Sequence, residues 1–170
     1  EHETAEVRDE WLDADPDGAR QLLVEAKLGA REALEELRDL ARGIHPPVLA
    51  DRGLGAAVTA LAARSPIEVR VSVVGERPPA AVESAAYFVT AEALANATKH
   101  AGAQHVEIRI ARRSDNLSVE VRDDGPGGAD PSGAGLTGLR RRVEALDGRL
   151  IVDSPAGGPT LIRAELPCAL

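Results

Sequence analysis

Four polar side chains stand close together in an otherwise apolar stretch of the sequence. Glu92, Asn96, Lys99 and His100 fall within a predicted helix, where residues four apart share a face. An amide oxygen suits Mg²⁺, an ammonium group suits phosphate, and a carboxylate can act as a base or hold a metal ion through water. A strip of this kind, taken alone, is more typical of a solvated helix edge.

Two glycine-rich segments follow this helix. The first, Asp-Asp-Gly-Pro-Gly-Gly at 123–128, comes directly after a predicted strand, which would fix its first carboxylate as an acceptor for an exocyclic amine such as that of adenine. The second, at 133–142, runs into a predicted helix start, whose free N–H groups favour phosphate. It lacks the Gly-Lys-Ser/Thr ending of a Walker loop, and the helix before it does not fit a Rossmann fold. Each segment alone also fits an ordinary turn.

The surrounding pattern predicts the elements that position these residues. Alternating apolar residues predict strands near 67–73, 106–110, 117–121, 150–153 and 160–166. Helices are predicted near 53–64, 80–100 and 136–146. Short turns between paired strands, with helices interspersed, predict a two-layer α/β sandwich whose helices cover one face of a mixed sheet.

A further helix is predicted near 19–44, before the turn at Pro46-Pro47. Its apolar residues repeat at steps of three and four, as a heptad seam does: Leu23, Ala26, Ala30, Ala33, Leu37, Leu40 and Ile44. One such helix cannot bury its own stripe. The periodicity leaves open whether it packs within its own domain or forms a dimerising hairpin.

Composition excludes several classes of function. The chain has 170 residues, a net charge of −8 and only 2% aromatic residues, so binding to nucleic acid or to an anionic membrane surface is disfavoured. A single cysteine, Cys168, excludes a disulfide framework and a thiolate zinc site. We expect a cytoplasmic chain without direct membrane contact. The absence of methionine suggests a piece of a longer protein.

The order and spacing of the motifs are more specific than any one of them. Over about residues 66–170 the chain resembles the ATP-binding domain of two-component sensor histidine kinases, within a superfamily that includes the gyrase and MutL ATPases. Residues 92–101 resemble its N box, 123–127 its first glycine box, 133–142 its second and 157–160 its late Gly/Thr element.

The resemblance implies ATP and Mg²⁺ as ligands and a role for each matching residue. Asp123 would hold the adenine amino group, with Thr160 supporting that contact through water, and Asn96 would coordinate Mg²⁺. Glu92 would act in catalysis by polarising the reacting groups, or help hold the metal through water, and Lys99 and His100 would contact phosphates. Loop glycines and two leucines would shape the rest of the pocket: Gly125, Gly127, Gly133, Gly135, Gly138, Leu136 and Leu139.

Two features narrow the resemblance to kinases that pair with NarL-type response regulators. Residues 37–49, Leu-Arg-Asp-Leu-Ala-Arg-Gly-Ile-His-Pro-Pro-Val-Leu, resemble the end of their dimerisation hairpin and the linker, and the lid between Gly127 and Gly135 is short. The implied organisation is a helical dimerisation segment and linker at 1–64 and a catalytic domain at 65–170. It implies a homodimer of the full-length protein.

The expected phosphoacceptor is the weakest part of the match. The one His-Glu pair, His2-Glu3, lacks the Arg-rich lead-in and has Val7 where the family has glutamine, so we expect this chain to lack its own acceptor. The expected reaction moves the γ-phosphoryl group of ATP to a histidine and then to a response regulator. The alternatives are an anti-sigma-factor serine kinase of the same fold and a non-catalytic dimerisation module with a decayed site.

Overall fold

The computed structural model describes residues 46–99 and 102–168, together with Gly18, Arg20 and Val24. The chain divides into two compact units, Glu1–Ile44 and His45–Leu170. In the first unit the three described residues are helical, whereas the heptad seam and His2 lie outside the described residues. The helix that starts at Pro47 belongs to the second unit.

The second unit contains a five-stranded mixed sheet. Its strands are β1 (Glu68–Val74), β2 (His105–Arg113), β3 (Asn116–Asp123), β4 (Arg149–Asp153) and β5 (Leu161–Pro167). Their spatial order is β1-β2-β3-β5-β4, with β1 and β2 parallel and every other pair antiparallel. All five predicted strands are present, and a short turn at Ser114-Asp115 joins β2 to β3.

Three helices complete this unit: α1 (Pro47–Ala62), α2 (Ala80–Lys99) and α3 (Ala134–Glu144). Helix α2 packs against β3, β5 and the other two helices. Alternate side chains of β2 and β3 are buried toward the core, including Ile108 and Val119, while those between them, such as Arg109 and Arg122, are exposed. The predicted two-layer α/β sandwich is therefore confirmed.

Helix α1 begins earlier than the helix predicted near 53–64. Pro47 opens the helix. The N–H groups in the first turn of a helix have no acceptor within that helix, so the missing N–H of proline breaks no hydrogen bond there. The helix is broken at Gly53, whose φ of 78° and ψ of 179° are not helical. The predicted helix start near residue 53 is therefore wrong, since α1 starts at Pro47.

An ion pair between a buried carboxylate and an exposed arginine joins the two halves of α1 to the rest of the unit. The Glu83 carboxylate on α2, 2% exposed, accepts the Leu54 N–H at 2.9 Å, just after the break. Arg77 donates to Glu83 at 2.8 Å and to the carbonyl oxygens of Leu49 and Ala50 at 3.0 and 2.9 Å, just before it. One salt bridge therefore caps the end of the first half and the start of the second.

Candidate nucleotide-binding site

The carboxylate of Asp123 is buried at the end of β3. Its side chain, 8% exposed as a residue, accepts the Gly125 N–H at 2.9 Å. Burial raises the pKa of the Asp123 carboxyl above its ordinary value of 3.8, while the N–H groups of Gly125 and Thr160 oppose that rise. A buried acceptor fixed in this way suits a ligand that brings its own N–H donor.

The start of β5 lies beside this carboxylate. The Asp123 N–H donates to the Thr160 carbonyl oxygen at 3.0 Å, which extends the β3–β5 ladder by one bond. Thr160 is also buried, and its hydroxyl lies 2.9 Å from the Ser154 hydroxyl. The two residues that the sequence predicts for adenine binding are thus brought together, although 37 positions separate them in the chain (160 against 123).

The loop after β3 docks on the turn between β4 and β5. Three hydrogen bonds join them: Gly157 N–H to the Pro126 carbonyl at 2.7 Å, Gly128 N–H to the Ser154 carbonyl at 3.1 Å, and Ala129 N–H to the Ser154 hydroxyl at 3.0 Å. Gly127 has a φ of 64°, and a Cβ on it would collide with the Pro155 carbonyl oxygen. Only glycine allows this close approach of the two backbones.

The tip of the loop is ordered by Asp130. Its carboxylate accepts the Ser132 N–H at 2.9 Å and the Ser132 hydroxyl at 2.6 Å, and these bonds lower the pKa of the Asp130 carboxyl. Gly133 then begins α3, and it has no side chain to cap the first turn. No acidic residue of α3 lies in that turn, and the anion that its N-terminal N–H groups favour there is the carboxylate of Glu92, against Gly135.

Helix α2 meets the start of α3 at Glu92. The carboxylate, on a residue 9% exposed, lies directly against Gly135, where a Cβ would collide with Oε1. Asn96 is half-buried one turn further along α2, and Lys99 is exposed in its last turn. His100 lies outside the described residues. The oxygen donors of Glu92 and Asn96 suit Mg²⁺, which prefers carboxylate and amide oxygens.

Three predicted site residues on α3 differ in burial. Leu136 and Leu139 are buried members of the hydrophobic core. Gly138, between them, is exposed, and a Cβ added to it would meet nothing within 4 Å. The helix therefore fixes the two leucines through the core, whereas Gly138 makes no close approach to any described residue.

On the far side of the strand end, Asp124 forms a second carboxylate cluster. It accepts the N–H groups of Gln104 and His105 at 2.8 and 3.0 Å, and its other oxygen lies 3.0 Å from His105 Nδ1. These bonds, the His105 N–H foremost, lower the pKa of Asp124 to about 2. His105 Nε2 also lies 3.3 Å from Glu68. The adjacent aspartates thus differ: Asp123 faces inward, and Asp124 ties the loop to β2.

Ser154 is a site residue that the sequence analysis does not single out. It stands between β4 and Pro155, and it contacts both Thr160 and the loop after β3. A serine directly after a strand and before proline was the available signal, but its two partners could not be read from it. The described residues contain no group of three or more potential metal ligands of the His, Cys, Asp and Glu types.

The fold belongs to the class of histidine kinase catalytic domains. The histidine kinase domain of the blue-light-activated histidine kinase of Erythrobacter litoralis superposes with a TM-score of 0.57 at 25% sequence identity, covering 68% of this chain and 59% of that one.

The family follows from the sequence itself. Residues 81–170 match the model of the histidine kinase-, DNA gyrase B- and HSP90-like ATPases, and the chain belongs to that family. Its relatives include the sensor histidine kinase MctS of Rhizobium johnstonii, 32% identical over 76% of this chain, and the oxygen sensor histidine kinase NreB of Staphylococcus carnosus, 30% identical over 79%. The chain spans 31% and 42% of the lengths of these two relatives.

The matched region is the catalytic ATPase domain of a sensor histidine kinase, as the sequence resemblance implied. Among the residues that the structure describes, no helix is both long and apolar enough to span a membrane.

Proposed function

We propose that this chain binds MgATP and supplies the γ-phosphoryl group for a histidine in the dimerisation segment of a sensor kinase. The observation that carries the proposal is the buried Asp123 carboxylate, fixed by the Gly125 N–H and next to Thr160. The exocyclic amine of adenine can donate to it, whereas a guanine ring would bring a carbonyl oxygen to the same place. Charge repulsion would then exclude guanine.

The other site residues would bind Mg²⁺ and the phosphates of ATP. Asn96 would give its amide oxygen to Mg²⁺, and Glu92 would polarise the reacting groups or hold the metal through water. Lys99, His100 and the uncapped start of α3 would neutralise phosphate charge. Bound Mg²⁺ would neutralise charge on the transferring group, so that catalysis depends on positioning and electrostatics.

The acceptor histidine, the response regulator and the dimer partner concern the full-length kinase. Because His2 is a poor match to the acceptor motif, we expect transfer to a histidine supplied in trans, and from there to an aspartate of a NarL-type response regulator. Residues 1–64 would carry the end of the dimerisation segment and the linker, and the full-length protein would be a homodimer. We expect this activity in the cytoplasm.

Calorimetry of MgADP binding tests the adenine contact. Asp123→Asn should weaken binding by more than about tenfold, because a hydrogen bond to a charged acceptor is lost. Asp115→Asn, at an exposed position in the β2–β3 turn, is the matched control and should bind as the unsubstituted chain does. Equal affinities for the two variants would contradict the assignment of Asp123.

The metal contact has its own test. Asn96→Ala should abolish the increase in ADP affinity that Mg²⁺ produces and leave metal-free binding unchanged, whereas Asn116→Ala, exposed at the start of β3, should keep that increase. Phosphoryl transfer from labelled ATP to a supplied acceptor hairpin then tests the reaction. Binding without any transfer to a hairpin of a related kinase would reject the kinase activity but retain the nucleotide site.

A further inference from the structure

Ser154 connects two parts of the candidate site that no motif connects. Its hydroxyl oxygen accepts the Ala129 N–H at 3.0 Å and lies 2.9 Å from the Thr160 hydroxyl. Its carbonyl oxygen accepts the Gly128 N–H at 3.1 Å. One residue therefore contacts the adenine side of the site, through Thr160, and the first part of the lid, through Gly128 and Ala129.

The distance between the Ser154 and Thr160 hydroxyls allows either one to be the donor, and the Ala129 N–H limits the choice. The Ala129 N–H can only donate, so the Ser154 oxygen is an acceptor there. If Ser154 donates its own proton to Thr160, the Ser154 hydroxyl is satisfied and the Thr160 proton remains available for a ligand. The hydrogen bond from the Ala129 N–H makes the Ser154 hydroxyl a stronger donor, which favours donation from Ser154 to Thr160 over the reverse direction.

We propose that Ser154 is a positioning residue that directs the Thr160 hydroxyl proton toward the base and thereby couples adenine selection to docking of the lid. This inference rests on the proposed function. A Thr160 proton directed into the site can be donated, directly or through water, to the N1 acceptor of adenine. Guanine carries a hydrogen on N1, so the same hydroxyl would face a second donor.

The coupling follows because the same Ser154 oxygen serves both contacts. When the lid docks, the Ala129 N–H occupies one lone pair of Ser154 and polarises its O–H toward Thr160. When the lid leaves, that N–H is withdrawn and the preference of the Ser154 proton for Thr160 weakens. Base selection is then strongest in the docked state.

Three variants separate the two contacts. Ser154→Ala removes both the bond to Ala129 and the bond to Thr160. Thr160→Val keeps the shape of threonine and the bond between Ser154 and Ala129 but removes the hydroxyl that would donate to the base. Ser72→Ala, at an exposed position on β1, is the matched control for a serine-to-alanine change.

Two measurements are made on each variant of the full chain. Amide hydrogen exchange without nucleotide reports the lid contact, and we expect exchange at Ala129 to rise about five- to tenfold in Ser154→Ala only. Calorimetry with MgADP and MgGDP reports base selection, and we expect the ratio of the two affinities to fall about three- to tenfold in both Ser154→Ala and Thr160→Val. Ser154→Thr should restore both properties.

The outcomes distinguish this inference from the function on which it rests. An unchanged affinity ratio in Ser154→Ala, beside a lowered ratio in Thr160→Val, would overturn the role of Ser154 while keeping the nucleotide site. Unchanged exchange at Ala129 in Ser154→Ala would overturn the coupling to the lid. If the unsubstituted chain binds neither nucleotide, the proposed function fails and base selection by Ser154 fails with it, whereas a rise in exchange would still establish the lid contact.

Discussion

Two adjacent glycines of the lid should respond very differently to the same substitution. Gly127 and Gly128 both have positive φ angles, 64° and 76°, so alanine at either position is held in a left-handed conformation. A Cβ on Gly127 would collide with the Pro155 carbonyl oxygen, whereas a Cβ on Gly128 would have nothing within 4 Å. Gly128→Ala is therefore a matched control that has the backbone strain without the collision.

The structure sets the size of each effect. Left-handed backbone costs an ordinary residue about 1–2 kcal/mol, and this is the whole cost that we expect for Gly128→Ala. Gly127→Ala can relieve its collision only by undocking the loop, which breaks the three hydrogen bonds to the β4–β5 turn. Undocking also frees residue 127 from its left-handed conformation, so the loss of the three bonds, at about 1 kcal/mol each, sets the decrease in the free energy of unfolding at about 3 kcal/mol.

Urea unfolding of the full chain measures both decreases, and amide exchange identifies their cause. The Gly157 N–H, which donates to the Pro126 carbonyl oxygen at 2.7 Å, should lose its protection in Gly127→Ala and keep it in Gly128→Ala. Equal losses of stability in the two variants, or a Gly157 N–H still protected in Gly127→Ala, would refute docking of the lid through Gly127.

Three further predictions concern stability, acid unfolding and catalysis. Glu83→Gln should lower the free energy of unfolding by about 2 kcal/mol in urea, since the buried amide loses its charge-assisted bonds to Arg77; an unchanged midpoint would contradict the capping of α1. The pKa of Asp124 is lowered to about 2, so its contribution to stability is complete above pH 3.8 and disappears as the pH falls to 2; acid titration should find this dependence missing in Asp124→Asn. Gly135→Ala should displace the Glu92 carboxylate and slow phosphoryl transfer up to about a hundredfold, with MgADP affinity changed far less; equal losses in both would mean that the pocket as a whole is disturbed.

The local spacing of apolar residues is sufficient to predict most of the strands and helices. The alternation of Val106, Ile108 and Ile110 follows from a strand with one buried face, and that strand is β2. The start of α1 was missed because Pro47 can end one helix or open the next, and the sequence alone does not decide between the two. The break at Gly53 depends on Glu83 and Arg77, which lie far along the chain and cap the two halves from outside.

The site was predictable where its residues form contiguous motifs, and less so where distant segments meet. Asp123 and Gly125 are neighbours in one motif, and they share a hydrogen bond. Ser154 and Ala129 are 25 residues apart, and neither residue type suggests the other. The contact exists because the order β3-β5-β4 brings the β4–β5 turn beside the end of β3, which is a property of the assembled sheet.

Substitution of Gly138 can show whether a glycine is required by the folded chain or by a bound ligand. It lies inside α3, exposed and with open space around a Cβ, so nothing in the described residues requires glycine there. Glycine in a helix interior is less stable than alanine by about 0.5–1 kcal/mol, so Gly138→Ala should stabilise the chain by that amount in urea. If the second glycine box contacts phosphate, the same variant should bind MgATP more weakly, a loss of affinity with a gain of stability. A loss of stability would contradict the open surroundings of Gly138, and unchanged affinity would remove it from the nucleotide site.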